Sequence, residues 1–172
     1  ETAEKINNQL GLIGNIKSDG RPILGFDSEK LAEIVFNIDL NAVIIPAHAW
    51  TPWFSVFGSM SGFDSIAEAF GPYSDKIYAV ETGLSSDPAM NWRIKELDNR
   101  SIVSFSDAHS GPKLGREATV FELEELSYKA ISEAIRQKTD NSKQLTNNIA
   151  YTIEFHPEEG KYHYTGHRAC NI

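Results

Sequence analysis

The sequence predicts an α/β fold, and three observations carry that prediction. Apolar runs rich in β-branched residues alternate with amphipathic stretches, the sequence form of repeated β–α units. No internal repeat or low-complexity tract interrupts them. Three of the expected strands end in polar, chemically capable residues, at His48, at Glu81, and at Asp107 with His109. Residues just past strand C-termini converge on one face of parallel α/β sheets and barrels, where sites lie.

Each element has its own justification. Ile6, Leu10 and Ile13 share one side of a helix from Thr2 to about Ile13. Gly14 to Gly25 contains Asp19-Gly20 and Arg21-Pro22 and reads as a loop. Asp27 is placed to cap a helix striped by Leu31, Ile34, Val35 and Ile38. Ala42 to Pro46 is expected as a buried strand running into His48, followed by a long loop from Thr51 to Gly62. Asp64 is expected to cap a short helix through Phe70. Ile77 to Glu81 reads as a strand and Gly83 to Asp87 as a turn. Pro88 opens a helix with a Met90, Ile94, Leu97 stripe. Ser101 to Ser106 and Ala118 to Leu123 read as strands. Leu126, Ala130, Ile131, Ala134 and Ile135 mark a helix, Lys138 to Asn148 a loop, and Ile149 to Phe155 a last strand.

At 172 residues the chain is long enough for one domain with a real core, and its apolar (41%) and charged (23%) fractions are ordinary for a globular protein. No apolar run is long enough to span a bilayer and no secretory signal opens the chain. The single cysteine, Cys170, excludes an internal disulfide framework and fits a reducing, cytoplasmic setting. A net charge of −8 argues against a surface that coats nucleic acid nonspecifically. It leaves a nucleic-acid enzyme open, because carboxylates that hold divalent cations count as negative until the metal binds.

Asp107 and His109 can leave one face of an extended segment and meet one ion, and such an oxygen and nitrogen pair suits Zn, Mn or Fe better than Ca. A strand-end cap with a packed histidine nearby is the alternative. His48 is a third ligand candidate, or a hydrogen-bonded rim histidine. Glu81, at the end of a buried strand, needs a partner. It can support a ligand histidine, contact metal or substrate, or pair with Arg93 or Arg116. Trp50, Trp53, Phe54 and Phe57 crowd the loop after His48, where aromatics stack on nucleobases or line the underside of a loop. Lys113 and Arg116 lie just beyond His109 and can hold a phosphate oxygen. His167 and Cys170 have the spacing of half a zinc site, which needs four ligands. No nucleotide-binding glycine loop, zinc-protease helix or serine-nucleophile elbow is present.

The string Pro46-Ala47-His48-Ala49-Trp50-Thr51-Pro52-Trp53-Phe54-Ser55 resembles the third metal motif of PHP (polymerase and histidinol phosphatase) domains. Ser106-Asp107-Ala108-His109-Ser110 resembles the fourth, the Asp-x-His pair. Glu81 to Pro88, Asn91-Trp92-Arg93 and Leu114-Gly115-Arg116-Glu117-Ala118 look like the endonuclease Q subgroup. The resemblance implies a PHP-type distorted (β/α)7 barrel binding up to three metals. His48, Asp107 and His109 are the positions that carry over as ligands. The family's early histidine motifs and remaining ligands have no match here, so the resemblance implies a partial barrel lacking its N-terminal strands. On that reading residues 1–155 form the C-terminal portion of the barrel. Residues 156–172 lead into a truncated zinc module around His167 and Cys170.

The implied activity is metal-dependent hydrolysis of a DNA phosphodiester on the 5′ side of a deaminated base or a base-free site. The partners implied are damaged DNA and the N-terminal segment that completes the barrel, and this fragment is expected to be inactive alone. Two alternatives stand beside it: a phosphatase acting on a small phosphate monoester, which the acidic charge favours, and a non-catalytic interaction domain, which the absent ligands favour.

Overall fold

The computed structural model describes residues 1–17, 22–136 and 148–164. Helix α1 spans Thr2–Ile13 and α2 spans Ser28–Ile38. The Asp27 carboxylate accepts the Lys30 N–H at the start of α2, as its position predicts. Ala32, Val35 and Phe36 turn inward from α2, and Ala32 and Phe36 share a cluster with Ile66, Ala69 and Phe70 of α3 (Ile66–Phe70). The cap of α3 is Ser65, whose hydroxyl accepts the Glu68 N–H, rather than Asp64. The Glu68 carboxylate reaches back to the Asp64 N–H, so serine and glutamate together satisfy the first turn.

Strand β1 (Ala79–Glu81) pairs in parallel with β2 (Ser101–Val103), with Ala79 opposite Ser101 and Glu81 opposite Val103. Ile66, Ile77, Leu97, Val80 and Val103 are fully buried around this pair. Each large apolar side chain so buried stabilises by about 1.5–3 kcal/mol, against about 1 kcal/mol for a net backbone hydrogen bond. Packing, not ladder length, therefore holds these short strands.

The expected strand at Ala42 to Pro46 joins no ladder. Val43 and Ile45 face one apolar cluster while Ile44 faces the other, so the alternation is that of an extended chain. Only its end is tied to β1, through the Glu81 N–H to the Pro46 carbonyl (3.0 Å) and the Ala49 N–H to the Glu81 carbonyl (2.9 Å). The helix expected from Pro88 through Leu97 is also broken. Helix α4 covers Pro88–Asn91, Ile94 is extended, and a 3-10 turn spans Lys95–Leu97. The buried Asn91 side chain donates to Ser86 Oγ and the Asp87 carbonyl, which fixes the helix to the loop before it.

Strand β3 (Ala118–Phe121) pairs antiparallel with β4 (Ile149–Ile153), with an irregularity between Val120 and Phe121. Ser104, past the end of β2, joins this second sheet through Thr119. Its N–H donates to the Thr119 hydroxyl, which donates back to the Ser104 carbonyl (both 2.9 Å). Helix α5 (Tyr128–Arg136) covers Val103 and Ala79 with Ile131 and Ile135, whereas Leu126 lies outside the helix and is exposed. The described strands form two pairs, one parallel and one antiparallel, rather than one continuous sheet. Residues 156–164 fold back on the turn after β1. Pro157 is buried, the Tyr162 N–H donates to Ser85 Oγ (3.2 Å), and His163 Nδ1 lies 3.2 Å from the Ser85 carbonyl. No described helix is long and apolar enough to cross a membrane.

Candidate functional site

His48 and Asp107 both occupy backbone conformations that side chains other than glycine rarely adopt, with φ of 34° and 43°. Such residues cost roughly 1–3 kcal/mol and concentrate at functional sites, where the surrounding structure enforces them. For His48 the enforcement is visible. Its N–H donates to the Glu81 carboxylate, and its ring Nδ1 lies 3.0 Å from Thr51 Oγ1. The Thr51 hydroxyl has a single proton, directed to the Trp53 carbonyl at 2.9 Å rather than the His48 carbonyl at 3.4 Å. With that proton so placed, its lone pair accepts from Nδ1–H, the tautomer that leaves the Nε2 lone pair free.

His109 reaches the same tautomer by another route. Its Nδ1 lies 2.9 Å from the Asp107 carbonyl, which can only accept, and 3.8 Å from the Asp107 carboxylate. Both side chains stand in solvent, 63% and 50% exposed. The donor chemistry of two Nε2 lone pairs and a carboxylate suits a transition-metal ion. Among the described residues, however, no group of three or more His, Cys, Asp or Glu side chains converges closely enough to hold one.

Glu81 organises the strand ends. Its side chain is buried, with one oxygen on the His48 N–H and the other on the N–H groups of Gly83 (3.1 Å) and Phe105 (3.3 Å). One carboxylate thus bridges the His48 loop, the turn after β1 and the segment leading to Asp107. No ion pair to Arg93 or Arg116 forms among the described residues. Arg116 instead spends its Nε on the Ser106 carbonyl (2.9 Å), bracing the same segment. Gly83 adds the steric half of the arrangement. Its φ is 66°, and a Cβ there would lie 2.7 Å from the His48 Cβ.

The two tryptophans separate. Trp50 packs inward, its ring centroid 4.8 Å from that of Phe57 and its Nε1 donating to Asn91 Oδ1 (2.8 Å), so it belongs to the core rather than to a ligand surface. Trp53 and Phe54 point outward, 54% and 68% exposed. Lys113 is exposed beyond His109. His167 and Cys170 lie outside the described residues.

Sequence reasoning missed two acids behind the site, Glu117 buried and Glu154 half-buried. Glu117 is only 2% exposed, with one oxygen on the Phe155 N–H (3.1 Å) and the other without a hydrogen-bond partner. Burial, opposed by that bond and reinforced by the charges of Glu154 and Glu81, pushes its carboxyl up to about 7. Glu154 is also raised, chiefly by burial. One of its oxygens accepts from Thr82 and Ser104, and the other is unpartnered. The available signal was the placement of Glu117 just before one strand and of Glu154 just after another. Thr51 was missed because a lone threonine in a turn carries no pattern.

No family model matches the chain. It is 32% identical over 148 residues to the uncharacterized protein YqxK of Bacillus subtilis, covering 83% of this chain and 36% of that protein. It is also 32% identical over 164 residues to an uncharacterized protein of Methanocaldococcus jannaschii, covering 87% of this chain and 19% of that one. Among solved structures, the lesion-specific endonuclease PfuEndoQ from Pyrococcus furiosus matches with a TM-score of 0.70 and 36% identity, over 78% of this chain and 33% of that one. A second structure, endonuclease Q in complex with a 27-mer duplex substrate carrying an abasic lesion at the active site, matches with a TM-score of 0.77 and 32% identity. That match covers 93% of this chain and 38% of the other. The chain thus spans little more than a third, at most, of the proteins it matches. Within that span its mixed helix and strand fold is that of endonuclease Q, and the two are related in sequence as well as in structure.

Proposed function

We propose that this chain forms part of a metal-dependent DNA repair endonuclease that cleaves 5′ of a deaminated base or a base-free site. The observation that carries the reading is the joint likeness to endonuclease Q in fold and sequence, one example of which holds an abasic duplex at its active site. The strained, braced loop segments at His48 and Asp107 support it.

In this reading His48 and His109 contribute Nε2 and Asp107 a carboxylate oxygen to a site for Zn, Mn or Fe. The remaining donors come from polypeptide outside these 172 residues, which would complete the PHP-type barrel and account for the incomplete donor group here. Bound there, such an ion neutralises phosphate charge and acidifies a water molecule. The chain's own residues orient the donors: Thr51 fixes the His48 tautomer, the Asp107 carbonyl fixes that of His109, and Glu81 holds both loops. Lys113, exposed beyond His109, would meet a phosphate oxygen as a point charge.

The test is cleavage of an end-labelled duplex carrying one uracil or one abasic site, by the natural gene product that contains this chain. Nicking 5′ of the lesion, lost on chelation and lowered about 100-fold or more in His48→Ala and Asp107→Ala, is the expected result. Turnover of a small phosphomonoester with intact DNA left uncut would replace the reading by a phosphatase. Neither activity, with no bound metal, would leave an interaction domain.

A further inference from the structure

Residues 156–164 meet the turn after β1 backbone against backbone. The Tyr162 N–H donates to Ser85 Oγ (3.2 Å). His163 Nδ1 faces the Ser85 carbonyl at 3.2 Å, an atom that can only accept, and so donates to it. Gly160 lies between these residues and the buried Pro157, and its N–H closes the 3-10 turn on the Pro157 carbonyl (3.0 Å). A Cβ on Gly160 would run into the Leu84 carbonyl oxygen and lie 2.6 Å from Ser85 Oγ and 2.8 Å from the Ser85 Cα. Its φ of −67° and ψ of 133° suit any residue, so glycine is required there for close approach alone.

The same turn touches the candidate site. Gly83, two residues before Ser85, gives its N–H to the Glu81 carboxylate. It packs so closely on His48 that a Cβ would lie 2.7 Å from the His48 Cβ and 2.9 Å from its Cα. The base of the turn is fixed separately, by Ser86 Oγ, which donates to the Thr82 carbonyl (2.7 Å) and accepts from Asn91 (3.1 Å). The hydroxyl and carbonyl of the buried Ser85 are engaged by the tail instead. Close-packed atoms do not absorb displacement, so a push on Leu84 and Ser85 is passed to Gly83 and on to His48. Misplacing a reacting group by about 1 Å can cost on the order of 100-fold in rate.

We infer that residues 157–163 are a strap that holds the turn after β1 against His48, with Gly160 and Ser85 as positioning residues for that site. The chemistry given to the site rests on the nuclease reading above, and the strap adds what keeps His48 in place.

The test uses the natural gene product that contains this chain. It combines titration with Mn(II) and, in the metal-free protein, the histidine ring signals after nitrogen-15 labelling, with His48 assigned through His48→Gln. Gly160→Ala is expected to move the His48 ring signal and to weaken Mn(II) binding about tenfold, the low end for lost support of a ligand. Ser85→Ala removes the acceptor of the Tyr162 N–H, keeps the carbonyl that His163 reaches, and is expected to act in the same direction to a smaller extent. Gly71→Ala is the control. It meets a φ of 50° and the Glu29 side chain at the end of α3, and is expected to lower the melting temperature while leaving the His48 signal and Mn(II) affinity unchanged. If Gly160→Ala and Ser85→Ala fold and leave both readouts unchanged, the strap is overturned while the nuclease reading stands. Equal effects from Gly71→Ala would overturn it too, as general loss of stability. Should Gly160→Ala not fold, Ser85→Ala decides. A parent that binds no Mn(II) and cuts no lesion DNA ends the nuclease reading, and the metal-free His48 signal still decides the strap.

Discussion

The Glu81 carboxylate accepts the backbone N–H of His48, a residue held at positive φ, and its second oxygen gathers the N–H groups of Gly83 and Phe105. A buried carboxylate without a cationic partner is costly, and backbone N–H groups from three segments are what compensate it here. The same contacts hold two strand ends in register, so removing them acts on the fold and on the site together.

Glu81→Gln keeps one acceptor oxygen but turns an amide NH2 toward a backbone donor. The expected loss is about 2–4 kcal/mol of unfolding free energy, measured by urea titration. A variant within about 0.5 kcal/mol of the parent would show that the carboxylate is not what holds the loops.

Gly83→Ala meets both a positive φ and the His48 side chain. It is expected to destabilise by about 1–3 kcal/mol and to weaken metal binding by displacing His48, read by calorimetric unfolding and metal titration. Gly115 has a similar φ of 72° with nothing near its Cβ, so Gly115→Ala carries the conformational cost alone. Equal effects of the two on metal binding would remove the steric argument.

Thr51→Val removes the hydroxyl that fixes the His48 tautomer while keeping the shape of the side chain. Metal affinity is expected to fall about 10–100-fold with little change in melting temperature. Unchanged affinity would show that the ring is oriented by packing instead.

Glu117 gives a pH dependence with a definite sign. Its folded carboxyl is raised from 4.5 to about 7, so between those values the native state binds more protons than the unfolded one. Stability from this group is fully present below about pH 4.5 and is lost as pH rises through 7, by at most about 3 kcal/mol. Glu154 shifts the same way and steepens the trend. Glu117→Gln is expected to flatten the decline, and an unchanged slope of stability against pH would assign it to other groups.

Local chemistry made several elements legible. The spacing of Leu31, Ile34, Val35 and Ile38, with Asp27 before them, marks α2 because a helix repeats every 3.6 residues and its first N–H groups need an acceptor. Pro88 after Asp87 marks the start of α4 for the same reason. Its early end was not legible, because it depends on the hydrogen bonds of the buried Asn91 side chain. The missing ladder at residues 42–46 was hidden too, since an apolar run shows that a segment is buried but not which edge it pairs with.

By itself the sequence determined a mixed helix-and-strand fold, the starts of α2 and α4, and the placing of His48, Glu81 and Asp107 at the ends of apolar segments. Those properties follow from side-chain period and from bonds between near neighbours in the chain. Only the tertiary structure decided that Trp50 turns in and Trp53 out, that Glu81 binds backbone rather than arginine, and that Glu117 is buried and Glu154 half-buried, each with one carboxylate oxygen unpartnered. These outcomes depend on segments tens of residues apart meeting in space. Burial and hydrogen bonding there are set by the partner that arrives, and one-dimensional pattern does not encode it.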